Sequence, residues 1–343
     1  MESKTRLLGM TTEELKGVAA RVGLPAYAAA QLADWLYKKK VTSIADMTNI
    51  ALAKRTLLEE SYEVGALPPT EKLISADGAI KYLFPVASGR FVESVYIPAD
   101  ERATLCVSSQ VGCKMNCLFC MTGKSGFQAN LTTNEILNQI QSIPEADTLT
   151  NIVFMGMGEP FDNTIELFKT LEILTAPYGY GWSPKRITVS TVGAMKGLQR
   201  FLDESACHLA ISLHSPYPEE RRTLMPVEAA YPIEEVIRLV KPYDFTHQRR
   251  ISFEYILFEG KNDSLQHAKA LIRLLRGLSC RVNLIHYHAI PNVPLKSCVP
   301  KKMEWFRDEL NAGGLVCTIR SSRGEDILAA CGMLSTNELH KNM

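Results

Sequence analysis

From about residue 103 onward, short β-rich runs alternate with helical runs, and this alternation constrains the fold more than any other feature of the sequence. The runs predicted as strands are 104–108, 151–155, 186–191, 208–213, 251–257, 281–287 and 315–320. The runs predicted as helices are 133–143, 164–174, 233–240 and 265–278. Such an α/β chain forms a parallel sheet, either doubly wound or curled into a full or partial barrel. In both arrangements the functional site lies at the carboxyl ends of the strands.

The first hundred residues follow a different pattern. Residues 11–62 are predicted to be helical, with Thr11 or Thr12 as the first cap. The Leu-Pro-Pro segment at 67–69 is typical of a linker. Short strands joined by hairpin turns are predicted at 72–75, 80–86 and 91–97. We therefore expect a helical accessory domain, a linker with a β-hairpin extension, a barrel domain and a polar tail, at residues 1–64, 65–100, 101–335 and 336–343 respectively.

Composition excludes several classes of protein. With 38 basic and 37 acidic residues, the net charge does not indicate binding to nucleic acid or to an anionic membrane, although a locally basic surface can still exist. No apolar run approaches the roughly 18 residues that span a bilayer, and the first residues lack the apolar core of a signal peptide. We therefore expect a soluble, cytoplasmic protein without membrane association.

The nine cysteines are distributed unevenly. An odd number in a large cytosolic chain argues against a disulfide framework. Cys113, Cys117 and Cys120 form a C-x3-C-x2-C motif just after a predicted strand. Three thiolates on a tight loop can ligate three irons of a cubane and leave the fourth iron open, whereas structural zinc needs a fourth ligand that does not follow closely. Buried cysteines can also cluster by chance, but the spacing favours an iron–sulfur site.

On this motif the chain resembles the radical S-adenosylmethionine (SAM) enzymes, and longer motifs narrow the resemblance to the RlmN/Cfr family of RNA adenosine methyltransferases. These motifs are VESVYIP at 92–98, CVSSQVGC at 106–113, FMGMGEP at 154–160, SLH at 212–214 and GEDILAACG at 324–332. The resemblance implies a partial (β/α)6 radical SAM barrel with a small N-terminal helical accessory domain that binds RNA. It also implies a 4Fe–4S cluster with an open iron and two molecules of SAM per turnover.

The resemblance assigns a role to individual residues. It implies Cys113, Cys117 and Cys120 as cluster ligands, Cys331 as the cysteine that one SAM methylates, and Cys106 as the resolving cysteine that forms a disulfide with it. It implies Glu93 as the general base that takes a proton from the adenine carbon. The implied SAM contacts are Gly158, Glu159, Ser190, Ser212, Leu213, His214 and His288. At His288 the family usually has an asparagine, so the hydrogen-bonding geometry and charge differ there.

The resemblance also implies the substrates. These are an adenosine in the peptidyl-transferase centre of 23S rRNA and the adenosine 3′ of the anticodon in some tRNAs, with a reductant such as flavodoxin and a monomeric enzyme. The Gly-Glu-Pro sequence at 158–160 favours methylation of carbon 2 over the carbon 8 of the Cfr branch. Two different interpretations stay open: a non-catalytic iron–sulfur or zinc protein that binds RNA, and a radical SAM enzyme with an unrelated substrate. Local positive charge is available at 38–40, 249–250, 301–302, Arg320 and Arg323.

Overall fold

The structure is a computed structural model that describes residues 4–247 and 249–335. The predicted polar tail at 336–343 lies outside the described residues. Within the described residues, no helix combines the length and the apolar character that crossing a membrane requires.

The N-terminal part is a small helical unit. Its elements in chain order are β1 (Thr5–Arg6), α1 (Thr12–Arg21), α2 (Ala28–Ala33), a π-helical turn (Asp34–Lys38), α3 (Leu52–Ser61) and β2 (Tyr62–Glu63). Helix α1 begins at a capping box, in which the Thr11 hydroxyl accepts a hydrogen bond from the Glu14 amide and the Thr11 amide donates to the Glu14 carboxylate. Strands β1 and β2 pair in parallel and close the unit. The helical prediction for this part is confirmed, with Thr11 as the cap.

The rest of the chain alternates strands with helices. In chain order the elements are β3 (Glu71–Ile74), β4 (Ile80–Val86), β5 (Arg90–Ala99), β6 (Arg102–Cys106), β7 (Gln110–Val111), α4 (Met121–Lys124), β8 (Ala129–Asn130), α5 (Thr133–Gln141), β9 (Asn151–Phe154), α6 (Thr164–Thr175), β10 (Ile187–Thr191), α7 (Met195–Glu204), β11 (His208–Ser212), α8 (Pro218–Leu224), α9 (Ile233–Val240), β12 (Ile251–Ile256), α10 (Leu265–Leu274), β13 (Cys280–Ile285), α11 (Pro300–Ala312) and β14 (Cys317–Ile319).

Among the described residues, ten of these strands form one sheet in the order β14-β13-β12-β11-β10-β9-β6-β5-β4-β3. Pairing is parallel from β6 to β14 and antiparallel from β3 to β6. Strands β3 and β14 lie at the two edges, so the sheet is open. This arrangement confirms the α/β class and the partial barrel. Strands β3 to β5 extend the same sheet, whereas the division into domains stays a prediction.

Most elements lie where the sequence predicts them, but some helices were not anticipated. Helices α7, α8 and α11 fill the crossovers between predicted strands. Helices α8 and α11 each begin with a proline, at Pro218 and Pro300. Proline is tolerated in the first helical turn because the N–H it lacks has no partner inside the helix. In a sequence the same proline is typical of a loop, which explains why these helices were missed.

Candidate active site

A cavity of about 730 Å³ lies within the curled sheet and reaches the carboxyl ends of its strands. It brings together most of the residues that the sequence singles out, namely Cys106, Cys113, Cys117, Cys120, Gly158, Glu159, Ser190, Ser212, His214, His288 and Cys331. Glu93 and Leu213 are not among its lining residues. The C-terminal segment from Ala329 to Leu334 forms part of the wall, so it folds back onto the barrel.

The loop that carries the three clustered cysteines is closed by backbone contacts of its own. Strands β7 and β8 pair at its base, and the Cys113 amide donates to the Gly126 carbonyl at 3.2 Å. Gly112 has a φ of 73°, and a Cβ atom there would lie 1.8 Å from the Gly126 oxygen. The loop can therefore close in this way only with glycine at position 112.

Burial of the three thiols disfavours their thiolate form unless a cation lies beside them. Burial raises the pKa of Cys113 to about 12, raises that of Cys117 well above its ordinary value, and raises that of Cys120 as well. A buried thiolate needs a neighbouring cation, and ligated iron supplies one. Among the described residues, no three His, Cys, Asp or Glu side chains are arranged to hold a single metal ion. In a cubane each thiolate binds a different iron, so the three sulfurs need not converge on one point.

Gly158 and Glu159 follow β9 at the wall of the cavity. Gly158 has a φ of 98°, and a Cβ atom there would lie 2.5 Å from the Gln110 Cβ, so only glycine fits. The Glu159 carboxylate accepts hydrogen bonds from the Thr191 hydroxyl at 2.7 Å and from the Val192 amide at 2.9 Å. Burial raises the pKa of Glu159 to about 7, against the effect of these hydrogen bonds. A carboxylate retains lone pairs beyond these contacts, so Glu159 can still receive an ammonium group from the cavity.

His214 lies just beyond the end of β11 with a φ of 56°. Its Nδ1 accepts a hydrogen bond from the Ile256 amide at 3.0 Å, which assigns the ring proton to Nε2. Burial lowers the pKa of His214 to about 3, so the ring is neutral and can act as a hydrogen-bond donor at the cavity. Ser190 and Ser212 line the cavity near it, whereas Leu213 is fully buried outside it.

Arg221 is a structural residue that the sequence analysis missed. Its fully buried guanidinium pairs with Glu228 and donates to the carbonyls of Val192 at 2.9 Å and Ser212 at 3.0 Å. It also donates to the Leu213 carbonyl at 3.1 Å. Arg221 thus joins the ends of β10 and β11, where the predicted SAM contacts lie. No local pattern marks it, because three of its partners are backbone carbonyls at the ends of β10 and β11.

Cys106 and Cys331 line the same cavity although they lie at opposite ends of the barrel sequence. Burial and the neighbouring Cys331 thiol raise the pKa of Cys106 to about 12, and Arg320 opposes this rise. Cys331 is exposed to the cavity, and both thiols are free. Arg320 is a cation close to both thiols, because its charge lowers the pKa of each. Its Nε lies 3.4 Å from Glu254 Oε2. Sequence reasoning named Arg320 only as a source of local positive charge.

Glu93 is placed differently from the other predicted residues. It is buried on β5, with Oε1 at 3.0 Å from Lys81 Nζ and Oε2 accepting the Ser335 amide at 2.9 Å. Burial raises the pKa of Glu93, and the charge of Lys81 opposes that rise. The carboxylate is therefore occupied by protein groups, and its role as a base stays a prediction.

His288 is also engaged by protein groups. Its Nε2 lies 2.6 Å from the Ser322 hydroxyl and its Nδ1 lies 3.1 Å from Glu325 Oε1. Both partners belong to the segment after β14. The ring lines the cavity while it holds this segment, so its predicted contact with SAM remains untested.

Several of the basic residues named from the sequence have internal partners. Lys40 pairs with Asp147 at 2.6 Å, Arg249 donates to the Leu202 carbonyl, and Arg323 donates to the Asp77 carbonyl. Lys39 pairs with Asp34 and lies over the Trp35 ring. The basic residues that line the cavity are Arg102, Lys185, Arg250 and Arg281 near the amino ends of its strands, and Arg320 and Arg323 after β14. Of these, Arg250, Arg320 and Arg323 were named from the sequence.

Comparison with known families covers both parts of the chain. Residues 107–275 match the model of the radical SAM superfamily, and residues 5–64 match the N-terminal domain of the ribosomal RNA large subunit methyltransferase. A chain from Parabacteroides distasonis, named "Probable dual-specificity RNA methyltransferase RlmN", is 73% identical over 98% of both sequences. One of the same name from Bacteroides thetaiotaomicron is 62% identical over 100% of this chain and 99% of its own.

More distant comparisons agree with these. The "Dual-specificity RNA methyltransferase RlmN" of Desulfotalea psychrophila is 39% identical over 98% of this chain and 97% of its own length. A crystal structure of a radical SAM methyltransferase from Sphaerobacter thermophilus superposes with a TM-score of 0.91 at 38% identity, over 97% of this chain and 100% of that one. A 4Fe–4S cluster and SAM are the cofactors of this superfamily, and the buried three-thiol loop beside Glu159 fits them. The chain belongs to the RlmN family of radical SAM RNA methyltransferases.

Proposed function

We propose that this enzyme methylates carbon 2 of an adenosine in the peptidyl-transferase centre of 23S rRNA, and of the adenosine 3′ of the anticodon in some tRNAs, with Cys331 as methyl carrier. The observation that carries the proposal is that Cys106 and Cys331 line the same cavity as the three clustered thiols. The names of the relatives, which specify dual-specificity RNA methyltransferases, support the pair of substrates.

The chemistry of the substrate explains why a cluster is needed. Carbon 2 of adenine lies between two ring nitrogens and is electron-poor, so it does not attack a methylsulfonium as a nucleophile. A cofactor must supply one-electron chemistry that amino-acid side chains lack. Cys113, Cys117 and Cys120 would hold a 4Fe–4S cluster, which would supply this one-electron chemistry toward SAM.

The residues of the chain perform the remaining steps. The Cys331 sulfur gives up its proton and takes the methyl group of one SAM by displacement, as the sulfonium C–S bond breaks. Although the Cys331 thiol faces the cavity, the surrounding protein excludes water from it and raises its pKa. The positive charge of Arg320 opposes this rise and so favours loss of the proton. After the transferred carbon is attached to adenine as a CH2 group, the Cys106 thiolate attacks the Cys331 sulfur. The bond between that sulfur and the carbon breaks, and the carbon takes up a proton to become the methyl group of the product. The resulting disulfide must then be reduced before the next turnover.

Glu93 receives the proton that carbon 2 loses. In the structure this carboxylate contacts Lys81 and the Ser335 amide, and its remaining lone pairs can accept the proton. Glu159 and His214 are proposed to hold the methionine part of SAM, with Ser190, Ser212 and the backbone at Leu213 beside them. His288 is the least direct contact, since the Ser322 hydroxyl bonds to its Nε2.

Binding of RNA completes the proposal. The target bases lie in folded RNA and must be splayed out of their stacks to enter the cavity. We propose that the accessory domain at 1–64 and the basic surfaces near the cavity contact this RNA. We further propose a cytoplasmic monomer that draws its electrons from a flavodoxin, as the family resemblance implies.

Mapping of modified adenosines tests the proposal directly. Ribosomal and transfer RNA from the host, with and without the gene for this chain, are digested and analysed by mass spectrometry. We expect 2-methyladenosine at both sites to disappear without the gene. A methyl group on carbon 8 would overturn the proposed position, and a tRNA that keeps its modification would overturn the dual specificity.

A single variant tests the role of Cys106. Without this thiol the product cannot leave Cys331, so Cys106→Ala should accumulate a covalent protein–RNA adduct. Cys207→Ala is the matched control, because Cys207 is a buried free thiol outside the cavity. Clean multiple turnover by Cys106→Ala would remove Cys106 from the mechanism.

A further inference from the structure

Lys81 is a fully buried lysine that the sequence analysis did not single out. Only 1% of its side chain is exposed, as is only 1% of Glu93, and the two lie on the neighbouring strands β4 and β5. Burial of two charges costs several kcal/mol, and well-packed apolar side chains often stabilise a protein as much as a buried ion pair does. Stability alone therefore does not explain why this pair is present.

The contacts of the pair indicate what it does. Lys81 Nζ donates to the Leu328 carbonyl at 3.2 Å, and Glu93 Oε2 accepts the Ser335 amide at 2.9 Å. One buried ion pair thus holds both ends of the segment 328–335, and Cys331 lies between these two contacts.

The middle of the segment is held by the cluster loop. The Met121 amide donates to the Gly332 carbonyl at 2.8 Å, and the Thr122 hydroxyl donates to the Leu334 carbonyl at 2.6 Å. With its ends on β4 and β5 and its middle on the loop, the segment presents Cys331 to the cavity that Cys106 and the cluster ligands also line.

We propose that Lys81 is a positioning residue that, together with Glu93, docks the segment 328–335 and so holds Cys331 at the cavity. The inference rests on the proposed role of Cys331 as methyl carrier. The carboxylate that holds the Ser335 amide is also the proposed base, so docking of the segment and placement of the base depend on the same buried side chain.

The electrostatics of the pair support this role. Burial raises the pKa of Glu93 and the charge of Lys81 opposes the rise. A protonated carboxyl group is a weaker acceptor than a carboxylate. Lys81 therefore maintains the charge with which Glu93 holds Ser335, in addition to its own bond to Leu328.

Hydrogen exchange of the full-length, cluster-loaded protein tests the docking. We expect the Ser335 amide to exchange about tenfold faster or more in Lys81→Met, because local opening determines exchange. Lys81→Arg keeps the charge and should restore slow exchange. Lys40→Met is the matched control, since it breaks another lysine ion pair, with Asp147, outside this segment. If Lys81→Met does not fold, Lys81→Gln, which keeps a donor but no charge, is measured with the same expectation.

The rate of Cys331 methylation gives a second measurement. With labelled SAM and mass spectrometry, Lys81→Met should methylate Cys331 at least about tenfold more slowly, with iron content unchanged and with rescue by Lys81→Arg. Wild-type exchange of Ser335 in a folded Lys81→Met variant, or a wild-type methylation rate, would overturn the inference. A wild-type enzyme that never methylates Cys331 would instead refute the proposed methyl carrier, while the exchange data still decide the docking.

Discussion

Two regions deliver cysteines to the cavity, and they are held in opposite ways. The cluster loop at 112–126 is closed by bonds within itself, such as Cys113 N to Gly126 O and Cys120 N to Cys117 O. The C-terminal segment at 324–335 is held mainly by distant partners, among them Met121 and Thr122. The internal bonds of the loop remain when the C-terminal segment moves, whereas the segment depends on contacts with other parts of the chain.

The environments of the thiols follow the same division. Cys113 and Cys117 are each 8% exposed, whereas Cys331 is open to the cavity. Buried thiols suit a permanent bond to iron, and an exposed thiol suits a nucleophile that must meet two different reactants. The difference fits the proposed roles, in which the cluster loop is a fixed part of the site and the segment that carries Cys331 is a movable part.

The largest effect is expected at the fixed loop. Cys117→Ala removes one of three ligands, so we expect the variant to lose nearly all of its iron and all RNA methylation, as measured by iron analysis and visible absorbance. Cys280→Ala is the control, because Cys280 lies at the start of β13 outside the cavity and should keep the wild-type iron content. Full iron occupancy in Cys117→Ala would exclude Cys117 as a ligand.

Replacement of Cys331, which lies on the movable segment, should affect RNA methylation but not assembly of the cluster. We expect Cys331→Ala to abolish RNA methylation but to keep its iron. Its free energy of unfolding should change by less than about 0.5 kcal/mol, because exposed side chains contribute little. A non-catalytic RNA-binding protein would tolerate this change, so retained methylation in Cys331→Ala would refute the methyl carrier.

The proposed contact between Glu159 and the SAM ammonium predicts that the affinity for SAM depends on pH. Its pKa is raised to about 7, so the carboxyl group takes up a proton as pH falls through 7 and loses its attraction for the SAM ammonium. The dissociation constant for SAM should therefore rise by up to about tenfold per pH unit below 7. Titrations at pH 6, 7 and 8 measure this effect.

Glu159→Gln is the control for that dependence, since it has no charge to lose. Its affinity should be lower than that of the wild type and should not vary with pH through this carboxyl group. An equal pH dependence in both proteins would assign the effect to another group.

The smallest effect is expected at the start of the movable segment. The Ser75 hydroxyl donates to Asp326 Oδ1 at 2.5 Å, and Ser75→Ala removes this bond at a cost of about 1 kcal/mol. Amides of the C-terminal segment should then exchange a few times faster, while those of the cluster loop stay as they are. Equal acceleration in both regions would mean that the fixed loop and the movable segment open together.

The fold was largely predictable from the sequence. Strand and helix periodicity placed β9 to β14 and the helices α5, α6, α9 and α10, because buried strands and amphipathic helices have distinct local patterns. The proline-initiated α8 and α11 were missed, since the same residues are typical of loops. That β3 to β5 extend the barrel sheet was also not predicted, because sheet pairing depends on contacts between distant residues.

The site was predictable only in part. The three-thiol motif is local in both the sequence and the structure, whereas the proposed SAM contacts were named from a family resemblance. Arg221, Arg320 and Lys81 contact residues on other elements, and the sequence does not show which contacts they make. Glu93 was named, but its occupation by Lys81 and Ser335 was not foreseen.

The sequence by itself determined the alternation of strands and helices, the three-thiol spacing and the glycines that close the cluster loop, because each depends on residues close together along the chain. Only the tertiary structure decided that Cys331 meets Cys106 and that Glu93 holds the end of the segment that carries Cys331. Those contacts join the two ends of the barrel sequence. They exist because a curled sheet brings the ends of its strands to one opening and leaves the last segment to fold across it.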